Sequence, residues 1–177
     1  MPPARQLRAG LLFLLATTLG TGCDLGTKLW ATEALAGGAR PVAAPWVSLQ
    51  LAYNRGTAFS VFPKLGDALP MMALLALLIS VGVGLYVWRN RPDAVTTLAL
   101  GSIVAGALGN GYDRAFRGAP GGGTGVIDFV SVRLPGGYVW PTFNVADVLL
   151  VLGVATFIVV SMVSGRRRNA EPQPSTA

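Results

Sequence analysis

The sequence predicts an all-α membrane protein that carries a small extramembrane β-sheet. Its 177 residues are 52% hydrophobic and only 12% charged, with a mean hydropathy of +0.54, which is too apolar for an ordinary soluble domain. Four apolar segments approach the roughly 20 residues that a bilayer core of about 30 Å requires. Two of the segments between them have the pattern of β-strands. One integral-membrane domain, residues 1–168, therefore accounts for nearly the whole chain.

The four predicted transmembrane helices lie at about 10–31, 69–88, 94–112 and 143–163. Only "RNRPD" separates the second helix from the third, so the two form a tight hairpin. Pro92 and Asp93 supply its turn and the start of the third helix. The long connections, about 32–68 and 113–142, therefore lie together on the other side of the membrane.

Arginines predict which side is cytoplasmic. They are dense in the short segments on one face, at Arg5, Arg8, Arg89, Arg91 and in "RRR" at 166–168. The positive-inside rule assigns that face, and with it both termini, to the cytoplasm. Residues 169–177 are polar and contain proline, which predicts a disordered tail.

The two long connections predict an external β-sheet cradle, at about 45–62 and 125–140. Apolar and polar residues alternate in "VSLQLAYN", and "NRG" then offers a turn before a second short apolar run. The segment "GVIDFVSVRL" (125–134) has the same β-rich character. Between them, "GAPGGGTG" (118–125) has the composition of a flexible linker.

Composition excludes several kinds of chemistry. The chain has one cysteine and no histidine, so it lacks an internal disulfide, the usual zinc ligands and any Ser/His or Cys/His pair. The net charge of +6 includes the arginines that flank a predicted helix, which favours a membrane face over a nucleic-acid face. Any catalysis must come from carboxylates, hydroxyls or lysine.

Polar side chains cluster at the outer ends of three predicted helices. A carboxylate in hydrocarbon costs roughly 2.5–3.5 kcal/mol at a helix centre, so each one needs a partner or a purpose. These polar residues form three sets, and all three lie at one depth, at the outer ends of their helices. Asp128 from the outer connection is therefore able to join them. The sets are Asp24 with Lys28; Asn110, Asp113 and Arg114; and Asn144 with Asp147.

Structural interpretations of these residues remain open at this point. Asp24 and Lys28, spaced i, i+4, are typical of a helix-stabilising ion pair. Asp113 and Arg114 fit a solvated helix end, and Asn144 fits an N-cap. The glycines of "GSIVAGALGNG" are typical of close packing between helices.

Functional interpretations compete with these. Asp147 lies a turn inside an apolar helix with no basic neighbour in sequence, which favours a function. Two carboxylates in a low-dielectric site share a proton, as in aspartic proteases, and Asp128 on an outer loop with Asp147 on a helix suit that arrangement. A transporter or proton channel relaying ions through Asp24, Lys28 and Asp147 is one rival. A non-catalytic lipoprotein or assembly factor, anchored through Cys23, is another.

Five short motifs occur in order along the chain: "DLGTK" (24–28), "NRGTAFS" (54–60), "GNGYDR" (109–114), "VIDF" (126–129) and "FNVAD" (143–147). On these motifs the chain resembles bacterial lipoprotein signal peptidase, or signal peptidase II, over nearly its whole length. Each motif is short, but five in this order, all at the predicted outer side of a four-helix protein, are specific. The segment "RAFRGAPGGGT" is longer and richer in glycine than the resemblance leads us to expect, which leaves the loop over the site undefined.

The resemblance implies a membrane aspartyl endopeptidase that removes the signal peptide of a prolipoprotein, cutting before the diacylglyceryl-modified cysteine. It implies a monomer without a cofactor or metal, in contact with lipid, at the outer face of the bacterial inner membrane. Asp128 and Asp147 then look like the catalytic pair. The supporting residues are Asn54, Gly56, Asn110, Arg114 and Asn144, and the architectural polar residues are Asp24, Lys28 and Asp113.

The stretch "LGTGC" (19–23) resembles the lipobox of a removable signal peptide. However, Gly20 stands where leucine is usual, and the apolar stretch continues past Cys23 into "DLGTKLW". We therefore expect the first helix to be retained in the membrane and Cys23 to be a packing residue.

Overall fold

The computed structural model describes residues 3–42, 46–56 and 69–170. The apolar run predicted after "NRG", and the predicted tail apart from its first two residues, lie outside these ranges, and those two residues end the last helix. The helices are α1 (Pro3–Ala34), α2 (Leu69–Asn90), α3 (Ala94–Phe116) and α4 (Val145–Ala170). The strands are β1 (Arg40–Pro41) and β2 (Val47–Asn54), which precede α2, and β3 (Val126–Arg133) and β4 (Val139–Phe143), which precede α4.

Each of the four long helices contains a segment that is long and apolar enough to cross a membrane. These segments are Gln6–Ala34, Pro70–Asn90, Ala94–Phe116 and Val145–Gly165. They confirm the predicted number of four helices; the first and third segments are longer than predicted, and the second and fourth begin and end one or two residues later. Most large apolar side chains of α1, α2 and α4 are exposed, as expected for surfaces that contact lipid rather than water. The chain therefore has the architecture of a multi-pass membrane protein.

Helix α3 is central and packs against the other three helices. Close approach depends on its glycines: a Cβ on Gly106 would overlap the carbonyl oxygen of Ala146, and one on Gly109 would overlap the Asp24 carboxylate. On the facing helix, a Cβ on Gly153 would lie 2.8 Å from the carbonyl oxygen of Ala99. The predicted role of the α3 glycines in helix packing is confirmed.

The α2–α3 hairpin has the predicted form. Asp93 caps α3, because its Oδ1 accepts hydrogen bonds from the backbone N–H groups of Val95 and Thr96, each at 3.0 Å. Before it, Arg91 adopts a left-handed conformation, with a φ of 49°. The Arg91 guanidinium donates to Gln6 Oε1 of α1 at 3.0 Å, which ties the hairpin to the first helix.

The four strands form one antiparallel sheet in the order β1-β2-β3-β4. The predicted small β-sheet is therefore confirmed. Its register places Ala52 opposite Asp128 and Val130 opposite Phe143. Ile127 and Phe129 of β3 pack with buried residues near the end of α1, including Ala31 and Leu35. This apolar contact fixes the sheet over one end of the helical bundle.

The glycine-rich segment 118–125 is a closed turn, so the interpretation as a flexible linker was wrong. Gly118 pairs with Thr124, and the Ala119 N–H donates to the Gly123 carbonyl at 2.9 Å. Three consecutive glycines, 121–123, have φ values of 84°, 95° and 70° and so make this reversal possible. The Thr124 hydroxyl donates to the Arg114 carbonyl at 2.7 Å, which attaches the turn to the end of α3.

Candidate active site

The two aspartates predicted to form a pair lie on the same cavity. Asp128 is on strand β3 rather than on a loop as expected, and Asp147 is in the first turn of α4. Because β4 pairs with β3 and leads directly into α4, the chain returns Asp147 to the neighbourhood of Asp128. The cavity has a volume of about 320 Å³. Side chains from the sheet, α3 and α4 also line it, among them Asn54, Asn110, Arg114, Trp140 and Phe143.

Asn144 contacts both carboxylates. Its side-chain Nδ2 donates to Asp128 Oδ1 at 2.7 Å, and its backbone N–H donates to Asp147 Oδ2 at 3.1 Å. In return, Asn144 Oδ1 accepts a hydrogen bond from the Asp147 N–H at 3.0 Å. This reciprocal arrangement is a capping box at the start of α4, so the N-cap interpretation of Asn144 was correct. The same residue also joins the two carboxylates.

Each carboxylate has a second amide donor from another part of the fold. Asn54, at the end of β2, donates from Nδ2 to Asp128 Oδ2 at 3.2 Å. Asn110 of α3 donates from Nδ2 to Asp147 Oδ1 at 2.9 Å. Gly56 acts on Asn54, because its backbone N–H donates to Asn54 Oδ1 at 3.1 Å. These bonds hold both carboxylates in fixed orientations.

The two carboxyl groups have different environments. Asp128 is only 2% exposed, whereas Asp147 is half-buried. Burial raises the pKa of Asp128 to about 7, and the neighbouring charge of Asp147 contributes to that rise. Hydrogen bonds from Asn54 and Asn144, and the charge of Lys28, act in the opposite direction. Asp128 can therefore hold a proton near neutral pH beside a more accessible carboxylate.

Asp24, Lys28 and Asp113 form a fully buried ionic cluster beneath the cavity. Lys28 Nζ lies 2.7 Å from Asp24 Oδ2 and 3.0 Å from Asp113 Oδ2, and all three side chains are 0% exposed. Asp113 Oδ1 also contacts Arg117 Nε at 2.6 Å. The interpretation of Asp24 and Lys28 as an ion pair was correct, whereas Asp113 is not at a solvated helix end.

The cluster also holds the two segments that carry the paired aspartates. Asp24 Oδ1 accepts a hydrogen bond from the Ala146 N–H at 2.9 Å, one residue before Asp147. Asp113 Oδ2 accepts one from the Ile127 N–H at 3.2 Å, one residue before Asp128. Each buried carboxylate of the cluster therefore fixes the backbone beside one member of the pair.

Arg114 supplies a cationic group at the cavity. Its Nη1 donates to the Asn110 carbonyl at 3.2 Å. Its Nε is buried and has no hydrogen-bond partner among residues 3–42, 46–56 and 69–170. A buried guanidinium N–H beside two carboxylates is suited to a carbonyl oxygen of a bound peptide.

Sequence reasoning missed some residues of this region and misjudged one. Arg117 was not selected, although its i, i+4 spacing from Asp113 was visible. Trp140 and Phe143 line the cavity but carried no sequence signal beyond a β-rich pattern. Cys23, expected to be a packing residue, is exposed on α1, which continues as one helix past it.

In the part of the chain that the structure describes, no three Asp, Glu or Cys side chains are grouped as metal ligands.

Comparisons with known proteins agree on one family. The sequence profile of signal peptidase (SPase) II matches residues 16–163. A lipoprotein signal peptidase of Methylobacterium radiotolerans is 36% identical over 172 residues, covering 93% of this chain and 92% of that protein. One from Clostridium novyi is 34% identical over 155 residues, covering 86% and 99%.

Two solved structures share the fold. A bacterial membrane enzyme determined in meso at 2.3 Å resolution matches with a TM-score of 0.69 and 23% identity, covering 92% of this chain and 94% of that one. A second, at 1.9 Å resolution, matches with a TM-score of 0.62 and 24% identity, covering 84% and 90%. At this level of identity the two structures support the fold alone.

Proposed function

Because the chain belongs to the signal peptidase II family and is therefore a membrane protease that removes signal peptides from prolipoproteins, we propose that Asp128 and Asp147 are its catalytic pair. One observation carries the proposal: both carboxylates line one cavity and both are hydrogen-bonded to Asn144. The family assignment favours a protease over the transporter and lipoprotein interpretations.

Charge balance supports a single proton on the pair. The cavity and the ionic cluster beneath it together hold three basic side chains and four carboxyl groups, so one proton shared by the pair leaves three positive and three negative charges. Balance of this kind matters because an uncompensated charge in a buried site costs several kcal/mol. The basic residues are Lys28, Arg114 and Arg117, and the acidic residues are Asp24, Asp113, Asp128 and Asp147.

The raised pKa of Asp128 supports a mechanism in which this residue holds the proton of the pair. In the proposed mechanism Asp147 takes a proton from a water molecule, and the water oxygen attacks the scissile carbonyl carbon. Asp128 donates its proton to the carbonyl oxygen as the tetrahedral intermediate forms. When the intermediate collapses, Asp147 passes its proton to the leaving amine and Asp128 recovers its own, so one water is consumed for each peptide bond cleaved.

The substrate in this proposal is a prolipoprotein with a diacylglyceryl-modified cysteine, cut on the amino side of that cysteine. Leu150 and Val151 of α4 line the cavity together with the two aspartates, and Val151 is 67% exposed on the side of α4 that would contact lipid. A lateral opening of this kind lets the acyl chains stay in the bilayer while the peptide reaches the carboxylates. We place the site at the outer face of the bacterial inner membrane, in a monomeric enzyme.

The test is cleavage of a diacylglyceryl-modified prolipoprotein by Asp128→Asn and Asp147→Asn variants. Each variant is expected to lose at least about 10³-fold in turnover, because amides cannot transfer the proton. Asp93→Asn is the matched control, since Asp93 caps α3 at its opposite end and asparagine caps equally well. Turnover like that of the wild type in either site variant, with folding intact, would remove that residue from the mechanism.

A further inference from the structure

We propose that Lys28 is a positioning residue for the catalytic pair, which presents a fixed positive charge through Asn110 to Asp128 and Asp147 and limits how tightly they hold their single shared proton. The inference rests on the function proposed above. It goes beyond the role of Lys28 as an architectural partner of Asp24, because it makes this lysine part of the acid–base properties of the site.

The hydrogen bonds lead from Lys28 to both carboxylates in few steps. Lys28 Nζ donates to Asn110 Oδ1 at 2.9 Å, and the Asn110 Nδ2 donates to Asp147 Oδ1 at 2.9 Å. Asn110 Oδ1 also accepts from Asn144 Nδ2 at 3.0 Å, and the same Nδ2 donates to Asp128 Oδ1 at 2.7 Å. One amide therefore separates Lys28 from Asp147, and two separate it from Asp128.

Lys28, together with Asn144, fixes which way the Asn110 amide faces. An ammonium group only donates hydrogen bonds, so it can bind the oxygen of Asn110 but not the nitrogen. With the oxygen held by Lys28, the Asn110 Nδ2 must point towards Asp147, as observed. Without Lys28 only the bond from Asn144 Nδ2 would hold the Asn110 oxygen, so a half-turn of the amide, which would present its oxygen to the Asp147 carboxylate and remove a donor, becomes easier.

The third bond of Lys28 is the one that an ion-pair role does not require. An ammonium group has three N–H donors; Lys28 Nζ lies within ion-pair distance of Asp24 and Asp113, and it donates a hydrogen bond to Asn110 Oδ1. The two carboxylates alone would satisfy its charge. The remaining donor points towards the pair, in a fully buried site where low polarisability strengthens electrostatic interactions.

The charged groups around Asp128 make the effect measurable. Groups from five parts of the fold act on Asp128. They are Asn54 of β2, Arg114 of α3, Lys28 of α1, Asp147 of α4, and Asn144, the residue immediately before α4. Burial and the charge on Asp147 raise the pKa of Asp128, and the charge on Lys28 lowers it. Loss of the lysine charge should therefore let Asp128 keep its proton to higher pH.

The experiment is the pH dependence of prolipoprotein cleavage in two variants with opposite expected shifts. The double variant Lys28→Met with Asp24→Asn removes the cation together with one partner, and the new amide can still accept the Ala146 N–H bond. In this double variant, the fall in activity at alkaline pH, which marks the loss of the Asp128 proton, should move to higher pH by about half a unit or more. Asp24→Asn alone removes a negative charge beside Lys28, so the lysine charge is less compensated. The alkaline fall in activity should therefore move to lower pH.

These shifts separate positioning from a purely structural role, since packing defects would lower turnover in both variants without moving the two midpoints in opposite directions. Unchanged midpoints, or shifts of the same sign, would overturn the inference. If the double variant fails to fold, the direction of the shift in Asp24→Asn decides. If turnover is too slow, infrared titration of the Asp128 carboxyl without substrate supplies the midpoint.

An Asp128→Asn variant measured in parallel keeps the two proposals separate. Full activity of this variant would remove the proposed catalytic pair itself. An inactive Asp128→Asn variant together with unshifted midpoints in the lysine variants would overturn only the role of Lys28.

Discussion

At the scale of single residues, Asn144 shows how a structural motif and a functional one coincide. The i, i+3 spacing of Asn144 and Asp147 is enough to predict a capped helix start, and the capping box is present. The bond from Asn144 to Asp128, 16 positions earlier in the chain, depends on the register of β3 with β4. That register is a long-range property, so the residue pattern alone left the pair as one hypothesis among several.

The raised pKa of Asp128 predicts a pH-dependent cost in stability. Because its pKa is higher in the folded state than the usual value of 3.8, the folded state binds more protons than the unfolded state between those two values. The free energy of unfolding therefore falls as pH rises from about 4 to about 7. Asp128→Asn removes that cost and should stabilise the protein by about 1–3 kcal/mol at pH 8.

Equilibrium unfolding in detergent checks this prediction at two pH values. At pH 5 Asp128 is still largely protonated in the folded protein, so most of its destabilising effect on the wild type is absent. The stabilisation by Asp128→Asn should therefore be much smaller than at pH 8. Asp93→Asn again serves as the matched control. A stabilisation as large at pH 5 as at pH 8 would contradict a raised pKa at Asp128.

At the scale of elements, the tight packing of α3 positions the ionic cluster. A side chain on Gly109 would overlap the Asp24 carboxylate, which binds Lys28 and the start of α4. Gly109→Ala should therefore lower the free energy of unfolding by about 1–3 kcal/mol and reduce cleavage, because α1 and α3 must separate.

The control for that substitution is Gly26→Ala on α1, where an added Cβ meets nothing within 4 Å. This change should be neutral or stabilise by up to about 1 kcal/mol, because alanine has the higher helix propensity. Thermal unfolding and cleavage measured on both variants test the pair. Equal effects of the two substitutions would show that close packing at Gly109 is unimportant.

Sequence reasoning predicted some elements better than others, for physical reasons. The four helices follow from long apolar runs, and Asp93 follows from the turn chemistry of "RNRPD". The two residues of β1 are too few to show a period, and β4, "VWPTF", contains a proline that is rare inside strands. The 118–125 turn was misjudged because its glycines form a specific hydrogen-bonded reversal, whereas composition indicated only flexibility.

At the scale of the whole molecule, the fold collects side chains from three helices, α1, α3 and α4, and from the sheet at one end of the bundle. The order of five short motifs and their common depth were visible in the sequence and predicted that these residues meet. What the sequence did not show is how they divide, with the Asp24, Lys28 and Asp113 cluster beneath the cavity and the amide donors between the cluster and the pair. That division depends on distances between helices that no spacing along the chain encodes.

The arginine distribution predicts that the sheet and the cavity lie outside the cytoplasm. In a Cys23→Ala background, Tyr138→Cys would place a thiol on the exposed β3–β4 connection, and Asn90→Cys would place one at the exposed end of α2. A membrane-impermeant thiol reagent added to intact spheroplasts should label the first and not the second. Labelling of the second alone would reverse the orientation.

The central claim is that Asp128 and Asp147 share one proton, and infrared titration of the carboxyl band tests it most directly. The wild-type protein should show a protonated carboxylic acid that titrates at about pH 7 and is absent in Asp128→Asn. In Asp147→Asn the neighbouring negative charge is gone, so the midpoint should move to lower pH. A midpoint unchanged by Asp147→Asn, or a band that persists in Asp128→Asn, would contradict the shared proton.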